Sequence, residues 1–261
     1  MTRMMDVRRT AIDAMRYAVP PKAWSGPGDL EIDAGPYLGD ADAPIPQTLV
    51  AGTVRLLLRD GEQPGPGAAV VTGLPRTASP QGVRDLHERL FGAVWEAFRD
   101  ASRELDAAAV YRVKTGTTSD GAIPVELYGS AWSFKALHID RDALLFSHLY
   151  GPLAGFTGGG MLLVDARAYL ARHGLGFDDA FEWSQEPTEG SKPMLREQRH
   201  AEARAGFGVN LGPIGPDRAV FVNNLPAAGI LHGVTPVVPT GTEPLVRVFH
   251  RCSVKRIEDG Q

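Results

Sequence analysis

The sequence predicts a mainly β fold with flanking helices (α+β), of the sandwich or open-barrel kind. Many short β-branched runs are separated by Gly, Pro or Asn turns, and the long helical patterns crowd into the N-terminal part. The chain, at 261 residues, suits one large double-layered β domain, and residues 1–261 are read as such.

Residues 1–65 read as a helical preface. Amphipathic patterns in Asp6 to Ala18 and Pro46 to Arg59 flank a Gly/Pro/Asp-rich stretch from Pro20 to Pro44, and Asp60-Gly61 stops the second helix. Ala68 to Pro75 is the first buried strand. At Ser79 the period changes: Ser79 can cap, Pro80 suits the first helical position, and Val83, Leu86, Leu90, Val94 and Phe98 recur at helical spacing over about 25 residues. Strand-like runs follow at Ala109 to Val113, Pro124 to Leu127, Ala143 to Tyr150, Gly160 to Val164, Arg218 to Val222, Gly229 to Val238 and Leu245 to Val254. One helix, Asp165 to His173, interrupts them. Residues 183–210 form a polar excursion too long for a turn, either a lid over a site or a solvated insertion.

Composition narrows the classes of function. The chain is 43% hydrophobic and 22% charged, with 27 basic and 31 acidic residues and a net charge of −4. No basic run exceeds a pair, so nucleic acid and anionic membrane are excluded as expected partners. No apolar stretch reaches the roughly 20 residues that cross a bilayer. One cysteine, Cys252, and an N-terminus without the apolar core of a secretion signal point to a reducing cytoplasm.

Of seven histidines, His87 among the charges of the long helix, His173 at a helix end and His200 in the polar excursion read as surface residues, and His148 reads as a core histidine. His138 differs, because Asp140 follows at i+2, and in an extended segment both side chains share a face. Alone, His-x-Asp is a weak motif. His232, in an otherwise apolar strand, supplies a second imidazole. Two histidines and a carboxylate make the facial triad of oxygen-activating iron(II), which leaves three positions open: two for a 2-oxo acid and one for O2. A 2-oxoglutarate enzyme also needs a fixed cation for the cosubstrate's far carboxylate, and the planar fork of arginine suits it. Alternation places Arg247, Phe249 and Arg251 on one face of the closing strand.

Taken in order, these residues resemble the taurine dioxygenase and clavaminate synthase-like branch of the iron(II)/2-oxoglutarate oxygenases. The resemblance rests on the strand Ala68 to Pro75, His138-Ile139-Asp140, the strand-then-helix pair in Gly158 to Leu170, Val220 to Asn224 leading to His232, and Arg247-Val248-Phe249-His250-Arg251, and it spans roughly Gly65 to Cys252. It implies a double-stranded β-helix of jelly-roll, cupin-like form with the triad at its open end. It further implies that Arg247 binds the 2-oxoglutarate carboxylate, that Arg251 meets an acidic group of the substrate, that Thr157 is the nearest candidate for a hydroxyl that helps hold 2-oxoglutarate, and that His250 is not a ligand. Asp140 argues against halogenation, which needs a small residue there. Hydroxylation of a small molecule with an anionic group, such as a free amino acid or a derivative, is the expected outcome. Desaturation, cyclisation, epoxidation and a carrier-tethered substrate stay open, Lys135 and Glu126 are further candidate substrate contacts, and the oligomeric state is not specified. Two readings from other classes compete: a non-catalytic binding protein on the same scaffold, and a zinc hydrolase built on the same three ligands.

Overall fold

The computed structural model describes residues 2–17, 24–60, 64–77, 79–123, 136–184, 192–212, 217–235, 237–243 and 245–257. The expected strand Pro124 to Leu127, Glu126, Lys135 and residues 185–191 of the polar excursion lie outside them.

The N-terminal part holds α1 (Thr2–Met15), β1 (Glu31–Asp33), α2 (Gln47–Leu57), β2 (Ala68–Thr72) and α3 (Pro80–Ala101). Ser79 starts α3 as the sequence suggests, its hydroxyl accepting from the Gly82 amide at 3.1 Å with Pro80 in the first turn. After β3 (Val110–Ile123) come β4 (Leu145–Ala154), β5 (Phe156–Gly158), β6 (Met161–Asp165), α4 (Ala166–His173), α5 (Phe177–Ala180) and β7 (Phe181–Trp183). The chain closes with β8 (Pro193–Leu195), α6 (Glu197–Phe207), β9 (Gly208–Asn210), β10 (Ala219–Asn223), β11 (Ile230–Val234), β12 (Val237–Pro239) and β13 (Leu245–Ile257).

Two sheets carry the architecture. A six-stranded sheet runs in the order β1-β2-β10-β4-β13-β3, antiparallel except for the parallel β1–β2 pair, and a three-stranded sheet runs β11-β6-β9. Strand alternation gives the large sheet two buried faces. Ala69, Val71, Leu145, Leu149, Phe221, Cys252 and Val254 pack beneath α2 and α3 with Leu49, Leu90, Phe91 and Phe98. Their neighbours Ala68, Val70, Phe146, Val220 and Val222 face Met161, Leu163 and Ile230 of the smaller sheet. The outer face of that smaller sheet, through Leu162, Val164 and Leu231, is covered by Ile12 and Met15 of α1, Tyr169 and Leu170 of α4, Phe177 of α5 and Ala203 of α6. Helix, sheet, sheet and helix are thus stacked around three apolar layers, a mixed α/β arrangement built on a large antiparallel sheet.

Several elements differ from their sequence reading. The run Gly229 to Val238 is two strands in different sheets, β11 against β6 and β12 against β5. The break comes where the Thr235 amide donates to the Gly160 carbonyl at 2.8 Å, and the sequence follows with Pro236, which has no amide proton to continue a ladder. The polar β3 extends ten residues past Val113 because, among the described residues, it is an edge strand paired with β13 alone and free of any need to alternate apolar residues. Within 183–210, β8, α6 and β9 are regular structure, with β9 an integral strand of the smaller sheet.

A buried ion pair adds to the contacts that tie the preface to the sheets. Arg59, fully buried, meets Asp165 in a two-pronged bond at 2.9 and 3.1 Å, while Asp165 also caps α4 through the Ala168 amide. Gly67 lets the chain pass close by: its φ is +85°, and a Cβ there would stand 2.8 Å from Arg59 Cδ and from Ile230.

Candidate metal centre

His138, Asp140 and His232 converge as the sequence suggests, although they come from separate parts of the chain. The convergence is made by backbone: His138 and His232 exchange both N–H···O bonds, at 3.1 and 3.0 Å, as an antiparallel bridge that adds His138 beside β11. Their rings lie 4.3 Å apart between centroids. The other side of His138 is held by the excursion, since Ile139 donates to Pro193 and Leu195 donates to Leu137. Part of residues 183–210 is therefore a wall of this site.

The three side chains present one donor atom each. Asp140 Oδ1 stands 3.4 Å from His138 Nε2 and 3.6 Å from His232 Nε2. His138 Nδ1 lies 2.7 Å from the Ala136 carbonyl, which can only accept, so a proton sits on Nδ1 and Nε2 is the ring nitrogen turned to the carboxylate. Both rings are buried. Burial, reinforced by His138, lowers His232 to about 4, so its ring is neutral at ordinary pH. Burial alone would raise the Asp140 carboxyl, but His232, His138 and Arg251 hold it well below the usual carboxylate range. Two imidazole nitrogens and one carboxylate oxygen are donors that suit a divalent metal, so the set fits such an ion.

Four residues fix the loop that carries Asp140. Arg8 of α1, buried, donates to the carbonyls of Asp140 (2.9 Å) and Arg141. Asn224, buried just after β10, accepts from the Asp140 amide and donates to the Asp140 and Ala143 carbonyls. Lys255 and Arg141 bind Asp142 at 3.0 and 2.6 Å. Nothing in the sequence marked Arg8, one of several charges on an amphipathic helix. Asn224 carried a signal in its position, a second amide side chain closing the apolar run of β10.

Arg251 stands within the site. Its Nη2 donates to Asp140 Oδ2 at 2.5 Å, and its guanidinium lies 4.8 Å above the Phe146 ring. The carboxylate is thereby divided, Oδ2 to the arginine and Oδ1 to the histidines. Arg247 holds the expected place on β13, opposite Leu153 of β4, with its side chain outside the described residues. Register shifts flank it, but the extra residue sits on β3 and on β4, which leaves β13 itself unbroken. Thr157 lies on β5 in a separate two-stranded sheet, exposed, its hydroxyl 3.4 Å from the Val238 carbonyl.

No family model and no curated protein matches the chain. Among solved structures, it resembles an asparagine oxygenase in complex with Fe(II), 2S,3S-3-hydroxyasparagine and succinate, with 16% identity, 95% of this chain and 91% of the other covered, and a TM-score of 0.42. A putative alpha-ketoglutarate-dependent taurine dioxygenase from Burkholderia xenovorans gives 11% identity, 85% and 93% coverage and a TM-score of 0.43. The iron and alpha-ketoglutarate-dependent endoperoxidase NvfI gives 12%, 72% and 78%, and 0.39. At such identities and scores the functional reading rests on this chain's own residues.

The remaining histidines complete the picture. His148 is buried between the rings of Phe146 and Phe249, each 5.0 Å away, as a core histidine should be. His173 is exposed and His200, half-buried, bonds the Leu195 carbonyl. His87 is not on the surface. It is fully buried on the sheet-facing side of α3, because the helical stripe of Leu86, Leu90 and Val94 carries it inward. His250, on the opposite face of β13 from Arg251, bonds His87 and belongs to a different cluster.

Proposed function

We propose that this chain is an iron(II)- and 2-oxoglutarate-dependent oxygenase of small molecules, on a double-stranded β-helix, with His138, Asp140 and His232 as the metal ligands. The observation that carries the reading is the convergence of two histidine Nε2 atoms and Asp140 Oδ1, on the inner side of two packed sheets. Iron(II) held there would bind 2-oxoglutarate and O2 and supply the oxidising power for attack on a substrate C–H bond.

The chain's own residues do the rest. Ala136 and the His138–His232 bridge fix both rings, Arg8 and Asn224 fix the Asp140 backbone, and Arg251 orients its carboxylate. Arg247 is assigned to the far carboxylate of 2-oxoglutarate, with Thr157 as a supporting hydroxyl. One of the five N–H donors of Arg251 meets Asp140, so the same guanidinium can take an anionic group of the substrate beside the metal. Phe146 and Phe249 give this face an apolar lining. The substrate proposed is a free amino acid or a close derivative, and the reaction its hydroxylation. The segment 183–210 is assigned as a cover over the site, part of which already packs against the His138 strand.

Anaerobic addition of iron(II) and 2-oxoglutarate to the protein is the test. A weak visible band of a chelated 2-oxo acid is expected, and it should vanish in Asp140→Ala together with all substrate-dependent turnover of 2-oxoglutarate. A folded parent protein that binds iron(II) but gives no such band would remove the assignment.

A further inference from the structure

On the opposite face of the large sheet, beneath α3, lies a second group of ligand-type side chains that the oxygenase chemistry does not use. His87 Nδ1 and His250 Nδ1 stand 2.9 Å apart, and Cys252 Sγ lies 3.7 Å from the first and 4.0 Å from the second. All three residues are buried, His87 and Cys252 completely. We propose that His87, His250 and Cys252 form a zinc(II) site that pins α3 to β13.

The spacing is that of donors around one ion. Zinc bonds of about 2.0–2.1 Å to nitrogen and about 2.3 Å to sulfur, at tetrahedral angles, put two nitrogens about 3.3 Å apart and nitrogen and sulfur about 3.6 Å apart. The three donors meet those separations to within about 0.4 Å. The outer nitrogens are also placed as zinc histidines require. His250 Nε2 is 3.1 Å from Glu88 Oε1, and His87 Nε2 is 2.7 Å from Ser147 Oγ. A carboxylate behind a ligating imidazole fixes its tautomer and raises its basicity. The pair of imidazoles with one sulfur selects a borderline or soft cation over magnesium or calcium.

Proton balance is simple. Without metal, the two facing Nδ1 atoms share one proton and Cys252 is a thiol, pushed up to about 12 by burial and by Glu88. On binding, the shared proton passes to His87 Nε2, which then donates to Ser147 Oγ, and the thiol proton leaves to solvent. The thiolate and Glu88 together balance the dication, so no net charge is stranded under the helix. No electron is transferred.

Cobalt(II) reports this site without involving the triad. Added to purified Asp140→Ala protein, one equivalent should give a near-ultraviolet thiolate-to-cobalt charge-transfer band that zinc displaces. Cys252→Ser in the same background should lose the band, and Glu88→Gln, a change at the partly exposed end of the cluster, should keep the fold and weaken cobalt affinity on the order of 10-fold. A folded Asp140→Ala protein with no thiolate band, or a band that persists without Cys252, would overturn the proposal and leave a purely hydrogen-bonded core cluster. Failure here leaves the oxygenase reading untouched, because the 2-oxo acid band is measured on the other face of the sheet.

Discussion

Asp140 is used on every atom that can bond. One carboxylate oxygen faces two imidazoles, the other takes Arg251, the amide donates to Asn224, and the carbonyl accepts from Arg8 and Asn224. A residue so constrained needs little reorganisation when a metal arrives. Arg247 is the residue through which the cosubstrate assignment can be tested alone. Arg247→Ala should raise the 2-oxoglutarate KM by at least about tenfold while the band at saturating cosubstrate survives, since a lost charge-assisted bond costs roughly 1.5–3 kcal/mol. An unchanged KM would refute its role. Titration gives a further single-residue prediction, for chelator-treated protein. Burial, helped by His250, lowers His87 to about 3, whereas an unfolded histidine takes its proton near 6.5. Between those values the unfolded chain holds the extra proton. Stability contributed by neutral His87 is therefore complete above about pH 6.5 and falls on acidification, by up to about 1.4 kcal/mol per pH unit. His148 and His232 act in the same direction, so the measurement is the difference in urea midpoint slope between the parent and His87→Gln, which should be shallower.

At the scale of elements, α1 acts as a clamp on the ligand loop. It packs Ile12 and Met15 into the outer apolar layer and reaches through it with Arg8. Arg8→Ala should leave the circular dichroism intact and weaken iron(II) binding on the order of 10-fold, the usual cost of losing a residue that orients a ligand. Retained affinity would show that Asn224 holds the loop unaided. The join between α2 and α4 behaves differently, because it is an ion pair in the apolar interior. Asp165→Ala removes the α4 cap and leaves the Arg59 guanidinium buried without its carboxylate, so a loss of about 3–5 kcal/mol is expected in chemical denaturation. A loss below about 1 kcal/mol would mean that water reaches Arg59.

For the whole molecule, the pattern of alternation and turn residues was enough to foretell an extensive β structure with flanking helices, the start of α3 and the strands that carry His232 and Arg251. Local sequence could not say which strands are neighbours. The tiny β1 and the polar edge strand β3 exist only through pairing, and periodicity carries no record of a partner. The triad was legible because it combines a histidine in an apolar strand with a carboxylate two places after another histidine, and such side chains are costly to bury unless they bind something. Arg8 was illegible for the opposite reason, since an arginine on an amphipathic helix normally points to water, and its target carbonyls are more than a hundred residues away. His87 misled in the same way, being flanked by charges on a helix whose inward stripe passes directly through it.

The alternation of β13 has a consequence for how this chain can vary. Arg251 and Phe249 face the triad side, while His250, Cys252 and Val254 face the helices, so adjacent codons of this strand serve unrelated ends. A mutational scan along it should show two interleaved phenotypes, loss of turnover at the odd positions and loss of folding or of bound zinc at the even ones. Deletion of one residue inside the paired strand itself, between Leu245 and Arg247, would transpose the two rows. A guanidinium would then be driven into the apolar layer under α3 and a thiol turned toward the metal ligands. The spacing between His232 and Arg251 is consequently expected to tolerate no net insertion or deletion of an odd number of residues within the paired strand.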